Sequence, residues 1–238
     1  FGAFTESFDI MRSELKKARQ AEAMAEKSKR ELVARLSHDI KTPVSSIKSV
    51  SEVGIAKADN KLEVERFNLI NQKADQINML VANLFTITLE ELDQLSINPI
   101  TIPSYVIGDL IHNSDYLNKS GSFEIPECNV FFDRLRLQQV FDNIFANSYK
   151  YANTNIDVSV IKKDVFLIIS IKDYGNTIKD EEIPLLLQKY NRGSNIEGKD
   201  GSGLGLYIAN MFMKAMNGKI EIKNNNPGFE VLVYLRII

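Results

Sequence analysis

Between Ala3 and Leu95 the chain contains two residues that interrupt helical backbone, Pro43 and Gly54. A stretch so poor in breakers folds as long helix wherever its apolar residues keep a helical period. They do so at Phe1, Phe4, Phe8, Met11, Leu15 and Ala18, in alternating steps of three and four, the seam of a coiled coil. From Ala18 to Glu31 the seam thins to alanines among charges, and a one-residue phase shift at Ala21 carries it to Leu32. Apolar residues then resume at Leu32, Val33, Leu36, Ile40, Val44, Ile47 and Val50, and we expect Leu36 and Ile40 to pack inward. The run Ala58-Asp59-Asn60 predicts a turn. A second helix from about Leu62 to Leu92 follows, with its seam at Phe67, Ile70, Ala74, Ile77, Val81 and Leu84. Two such helices make a hairpin with too little core of its own. We expect it to pair with a second copy as a four-helix bundle, a homodimer through hairpin and coiled coil.

Composition changes at Ser96-Ile97-Asn98-Pro99, and residues 96–103 read as a linker. Beyond it the pattern is mixed. Ser104 is placed to cap a helix through Leu117. Asn129 to Phe132 reads as a strand, Arg134 to Tyr151 as a helix, and Ile156 to Ile161 and Val165 to Lys172 as strands. A helix from Leu204 to Met216 and strands at Lys219 to Lys223 and Phe229 to Arg236 complete an α+β layer on a mostly antiparallel sheet.

Several classes of function are disfavoured. A net charge of −2, with both signs interspersed, argues against nucleic acid as a partner. The single cysteine, Cys128, forbids an intrachain disulfide and fits a reducing compartment. No run of about 18 apolar residues is present, so no direct membrane contact is expected here. The chain opens at Phe1, and we read it as a piece of a longer protein whose preceding part is membrane-anchored.

Chemistry concentrates in two places. The first is Ser37-His38-Asp39-Ile40-Lys41-Thr42-Pro43, where an imidazole has a carboxylate beside it and a hydroxyl one turn later. The second is dispersed. Gly201, Gly203 and Gly205 run into a helix, an arrangement that lets backbone N–H groups and the helix dipole meet phosphate. Asn143 and Asn147 share one helix face, and an amide oxygen at Asn147 can serve Mg2+. Lys150 and Tyr151 lie one turn on. Asp173 ends a strand before Tyr174-Gly175, where a carboxylate can accept from the exocyclic amine of adenine, a group guanine lacks at that position. Tyr190 and Arg192 fall in a long segment that reads as a lid.

Taken in order, these segments resemble the boxes of bacterial sensor histidine kinases. SHDIKTP (37–43) is similar to the phosphoacceptor box and DNIFANSYKY (142–151) to the asparagine box. DYGNT (173–177) is similar to the first glycine box, KYNRG (189–193) to the aromatic box, and GSGLGL (201–206) to the second glycine box. The opening FTESFDIM resembles the end of a HAMP module. The resemblance implies a signalling coiled coil at 1–30, a dimerisation and phosphotransfer hairpin at 31–95, a linker at 96–103 and an ATP-binding domain of the gyrase, chaperone and kinase type at 104–238. It implies ATP and Mg2+ as cofactors and His38 as the group phosphorylated. Asp39 activates His38, and Thr42 positions water for dephosphorylating a response regulator. Asn147 is then the Mg2+ ligand, with Asn143, Lys150, Tyr151, Asp173, Gly175, Tyr190, Arg192, Gly201, Gly203 and Gly205 around the nucleotide. The implied partner is a response regulator receiver domain, and the implied location is the cytoplasmic face of the membrane. One departure stands out: the family's Asp-x-Gly-x-Gly has Thr177 in its last place, where a β-branched residue restricts the backbone. A catalytically weak scaffold, or an ATP-hydrolysing clamp, are the other readings.

Overall fold

The computed structural model describes residues 2–92, 95–191, 202–225 and 227–238, with backbone alone described for 2–9. The chain divides into two compact units, residues 1–95 and 96–238.

The first unit is two helices, α1 (Gly2–Lys57) and α2 (Lys61–Glu91). Helix α1 runs unbroken through Pro43. Asn60 caps α2: its side-chain oxygen accepts from Glu63 N–H at 3.0 Å, while its amide donates back to Glu63 Oε1. The first bond satisfies a donor left open by the helix start, and the second ties the two side chains together. The face shared by the helices holds small or modest side chains. Val44, Ser51 and Ala74 are buried, and Val33, Phe67 and Val81 are half-buried. Gly54 lies against Phe67, where an added Cβ would stand 2.4 Å from the ring. Ser51 Oγ donates to Phe67 O at 2.7 Å.

Apart from Phe67 and the buried Ile87, most of the larger apolar residues lie elsewhere. Leu36 and Ile40, expected to pack inward, are 48% and 38% exposed, and Ile47, Val50, Ile70, Ile77 and Leu84 are exposed as well. Each helix thus carries two apolar faces. The hairpin covers one, and periodicity could not tell which residues belong to it. Upstream, Met11 and Leu15 are exposed, while Phe1 and the side chains of Phe4 and Phe8 lie outside the described residues.

The second unit is a six-stranded antiparallel sheet with helices packed on it. Its strands are β1 (Ile100–Pro103), β2 (Asn129–Phe132), β3 (Ile156–Lys163), β4 (Phe166–Asp173), β5 (Lys219–Asn224) and β6 (Phe229–Ile237). The order is β1-β2-β6-β4-β3, and β5 shares β6 with β2. Its helices are α3 (Val106–Ser114), α4 (Arg134–Tyr151) and α5 (Gly205–Ala215), with a 3-10 segment at Asp180–Leu187. Helix α4 starts where Asp133 caps Leu135 and Arg136 N–H. Phe132, Phe141, Phe145 and Phe212 are fully buried and fill the core between helices and sheet.

Two expectations change here. The second half of the presumed linker is strand β1, which pairs with β2 from Ile100↔Phe132 to Pro103↔Asn129. Ser104 does not cap a helix with its side chain. Its Oγ donates to Pro126 O and accepts from Cys128 N, tying two loops together, and α3 ends at Ser114 rather than Leu117.

Candidate functional sites

In the helical unit the SHDIKTP segment lies on the outer surface of α1. The His38 side chain is 82% exposed, and its Nδ1 lies 3.3 Å from Asp39 Oδ1. In the tautomer that carries its proton on Nδ1, the ring donates to Asp39 and the Nε2 lone pair faces solvent. Thr42 Oγ1 donates to His38 O at 3.1 Å, and Ser46 Oγ donates to Thr42 O in the same way. These back-bonds occupy hydroxyl protons beside Pro43, whose missing N–H removes a bond from the ladder. His38, Lys41, Thr42, Ser45, Ser46, Ser49 and Val50 line one shallow, open depression, so a polar strip runs from the imidazole along α1.

In the second unit the predicted residues gather around α4. Asp173, at the end of β4, is 5% exposed. Burial pushes its carboxyl above the ordinary aspartate value, against the pull of hydrogen bonds from Gly175 N–H, the Ser148 hydroxyl and Phe229 N–H. A buried carboxylate with its own donors fixed in place is oriented before any ligand arrives. Gly175 lies against the end of α4, where an added Cβ would meet Ala152 Cβ at 2.5 Å.

Asn143 is buried. Its amide donates to Gln139 O at 2.8 Å, and its Oδ1 stands 2.9 Å from where a side chain on Gly205 would begin. The first glycine of α5 is therefore required by helix packing as well as by any phosphate. Asn147, one turn on, is half-buried and has no hydrogen-bond partner among the described residues. Lys150 Nζ lies 5.1 Å from the Tyr151 ring centre, so the cation is already placed on an aromatic face.

Gly203 adopts φ +67° and presses on the backbone of Tyr190 and Asn191, with Asn191 O 2.8 Å from the position of a Cβ. Tyr190 itself has φ +64° and is 64% exposed. Arg192 and Gly201 lie outside the described residues. Next to Thr177, Ile178 is held at both backbone groups: its N–H donates to Asn224 Oδ1 at 3.1 Å, and its carbonyl accepts from Asn224 Nδ2, which also reaches Asp180.

Sequence reasoning missed three supports. Ser148 bonds Asp173 from the helix that carries the asparagines, and its place directly after Asn147 was the available clue. Gly228, at φ +111°, lets the β5–β6 turn cross behind Asp173, where any Cβ would fall 1.9 Å from Asp173 O. Asp115 is buried and accepts from Tyr149 O–H, Ser120 Oγ and N–H, and Lys119 N–H. Burial alone would raise the Asp115 carboxyl, but these bonds together hold it below the usual aspartate value, while burial and Asp115 push Tyr149 up. The effect is to fix the C-terminal half of α4. His112 has a local role: Nδ1 bonds Gly108 O at 2.7 Å and the ring stacks on Phe123.

Residues 28–91 match the His Kinase A (phospho-acceptor) domain, and residues 132–237 match the histidine kinase-, DNA gyrase B- and HSP90-like ATPase family. Sensor protein SrrB of Staphylococcus aureus is 24% identical over 209 residues, which are 82% of this chain and 36% of SrrB. The chain thus spans about a third of that relative's length. Among solved structures, full-length ShkA in complex with AMPPNP superposes with a TM-score of 0.60 at 19% identity, covering 87% of this chain and 46% of ShkA. The Acinetobacter baumannii histidine kinase AdeS gives 0.54 at 19% identity, covering 84% of this chain and 98% of AdeS. At such identity these two likenesses speak for the fold.

Proposed function

The chain belongs to the histidine kinases, joining a phospho-acceptor domain to a kinase-type ATPase domain, and on that premise we propose that it phosphorylates its own His38 from ATP and passes the phosphoryl group to an aspartate of a response regulator. The observation that carries this reading is an exposed imidazole in one unit, its Nδ1 on Asp39, in the same chain as a buried, pre-oriented carboxylate at Asp173. Nε2 attacks the γ-phosphorus in line, the bond to the β–γ bridging oxygen breaks, and ADP leaves with that electron pair. Asp39 stabilises the Nδ1 proton as positive charge develops on the ring. Asp173 accepts from the adenine amine, and Lys150 and Tyr151 contact the nucleotide. Gly203 and Gly205, with Gly201 and Arg192 in sequence beside them, hold the phosphates. The partnerless amide oxygen of Asn147 suits a hard cation, and Mg2+ held there would neutralise phosphate charge.

The exposed stripe through Leu36, Ile40, Ile47 and Val50 supports a homodimer, with hairpins closing a four-helix bundle. The polar strip below His38 suits a receiver domain. Thr42, its proton engaged with His38 O, keeps an oxygen free to accept from water, which supports regulator dephosphorylation as a second activity. Among the described residues no helix is long and apolar enough to cross a membrane, so the anchor, in this reading, lies in the rest of a longer sensor.

Incubation with γ-labelled ATP tests the reading. Wild type should label and His38→Gln should not; a His38→Gln protein that labels equally would falsify it. One observation favours a weaker enzyme: Thr177 and the Asn224 clamp both stiffen the residues that follow Asp173. Calorimetry that detects no Mg–ATP binding would favour the scaffold.

A further inference from the structure

The segment leading into the second unit is fastened along its whole length. Arg136, in the first turn of α4, donates from Nη2 to Ser96 O at 3.0 Å. Asp133 Oδ2 accepts from Asn98 N–H at 2.9 Å while its Oδ1 caps the helix. Asn98 Nδ2 reaches Ser96 Oγ, and from Ile100 the chain is strand. The Arg136 guanidinium is positioned in advance: Nη1 donates to Gln139 Oε1 at 3.0 Å, and the group lies 5.2 Å from the centre of the buried Phe212 ring. Residues 96–99, left free, would add up to about 13 Å of reach, since β1 is held by its own pairing with β2.

The same helix carries the nucleotide residues. Asn147 follows Arg136 by three turns, about 16 Å along the axis. The point where the chain leaves the unit is thus fixed relative to the nucleotide contacts through one rigid element.

We propose that Arg136 and Asp133 are positioning residues that anchor the interunit segment at Ser96 and so shorten the tether on which the nucleotide site reaches His38. This rests on the kinase reading. A shorter tether raises the effective concentration of bound ATP at the imidazole, which falls roughly as the −3/2 power of tether length. Neither side chain touches nucleotide in this scheme, so turnover should respond while ATP binding does not.

Arg136→Met keeps the stem over Phe212 and removes the donors. Asp133→Asn keeps a capping oxygen but offers Asn98 N–H a neutral acceptor, or none. Each should slow autophosphorylation at saturating ATP, about threefold if the free tether doubles, with KM for ATP, nucleotide affinity and Tm unchanged. Arg136→Lys should recover part of the rate. Wild type that labels while both variants label as fast, or faster, overturns the anchor alone. A rate loss matched by loss of nucleotide affinity or of Tm overturns it too, as a folding defect. Wild type that does not label at all overturns the kinase reading and the anchor with it.

Discussion

The helical unit leaves most of its large apolar side chains in water, and the α/β unit hides its own. Leu36, Ile47 and Leu84 are about half exposed, while Phe132, Phe141, Phe145 and Phe212 are fully buried. One unit completes its core from its own sequence; in the proposed homodimer the other completes it with a second copy. The same contrast holds for the reactive groups. Among the described residues His38 has one side-chain bonding partner, Asp39, whereas Asp173 has three donors around it before a ligand arrives. In the proposed reaction, the group that must be met by other molecules is kept accessible, and the group that must hold one molecule is kept rigid.

Phe141→Ala should cost the α/β unit about 3–5 kcal/mol in denaturant unfolding, with no dependence on protein concentration; a smaller, concentration-dependent loss would break the contrast. Ile40→Glu with Ile47→Glu should act on the other side of it. Sedimentation should find a monomer where wild type is a dimer, with the α/β transition untouched. A wild type that is monomeric at every concentration would sink the idea of a shared core. Asn60→Ala should cost about 1 kcal/mol in the helical transition alone, since it removes the start of α2. The smallest effect concerns pH. The raised Asp173 carboxyl takes up its proton at higher pH than an exposed aspartate, so nucleotide affinity should begin to fall, on acidification, before that of a site built on an exposed carboxylate. In stability the sign is opposite. The folded state holds this proton more tightly than the unfolded chain, so Asp173's contribution is fullest at low pH and is lost as pH rises through its folded value. Titration of nucleotide affinity in Asp173→Asn should lack this acid limb.

Local signals were the readable ones. Helix α4 spans the predicted Arg134–Tyr151 because Asp133 supplies a cap and no breaker follows before Ala152. Strands β2, β3 and β4 fell within a residue or two of their predicted ends, since alternation and turn residues bound them. What escaped depends on distant partners. Ile100–Pro103 reads as linker between two prolines until β2 lies beside it. The glycines at 175 and 205 have the composition of a phosphate loop, yet Ala152 and Asn143 already demand them. Pro227-Gly228 marks a turn, but nothing local says that the turn crosses behind Asp173, 55 residues away in sequence. Leu36 and Ile40 follow the helical period, but a period does not say whether the covering surface belongs to the same chain.

The seat of the Phe67 ring over Gly54 has a mechanical consequence. Sliding α1 past α2 by about one turn would replace the glycine at the ring with Val50, Ser51 or Lys57, the residues on the same face, and drive a side chain into it. It would also break the bond from Ser51 to the Phe67 carbonyl. The exposed pairs Lys48–Asp75 and Lys29–Glu91 offer little resistance of their own. The lock therefore sits near the turn, where the helices cannot move like pistons. In the proposed kinase, a signal descending α1 would then reach His38 as rotation of the helix, or as bending above the lock.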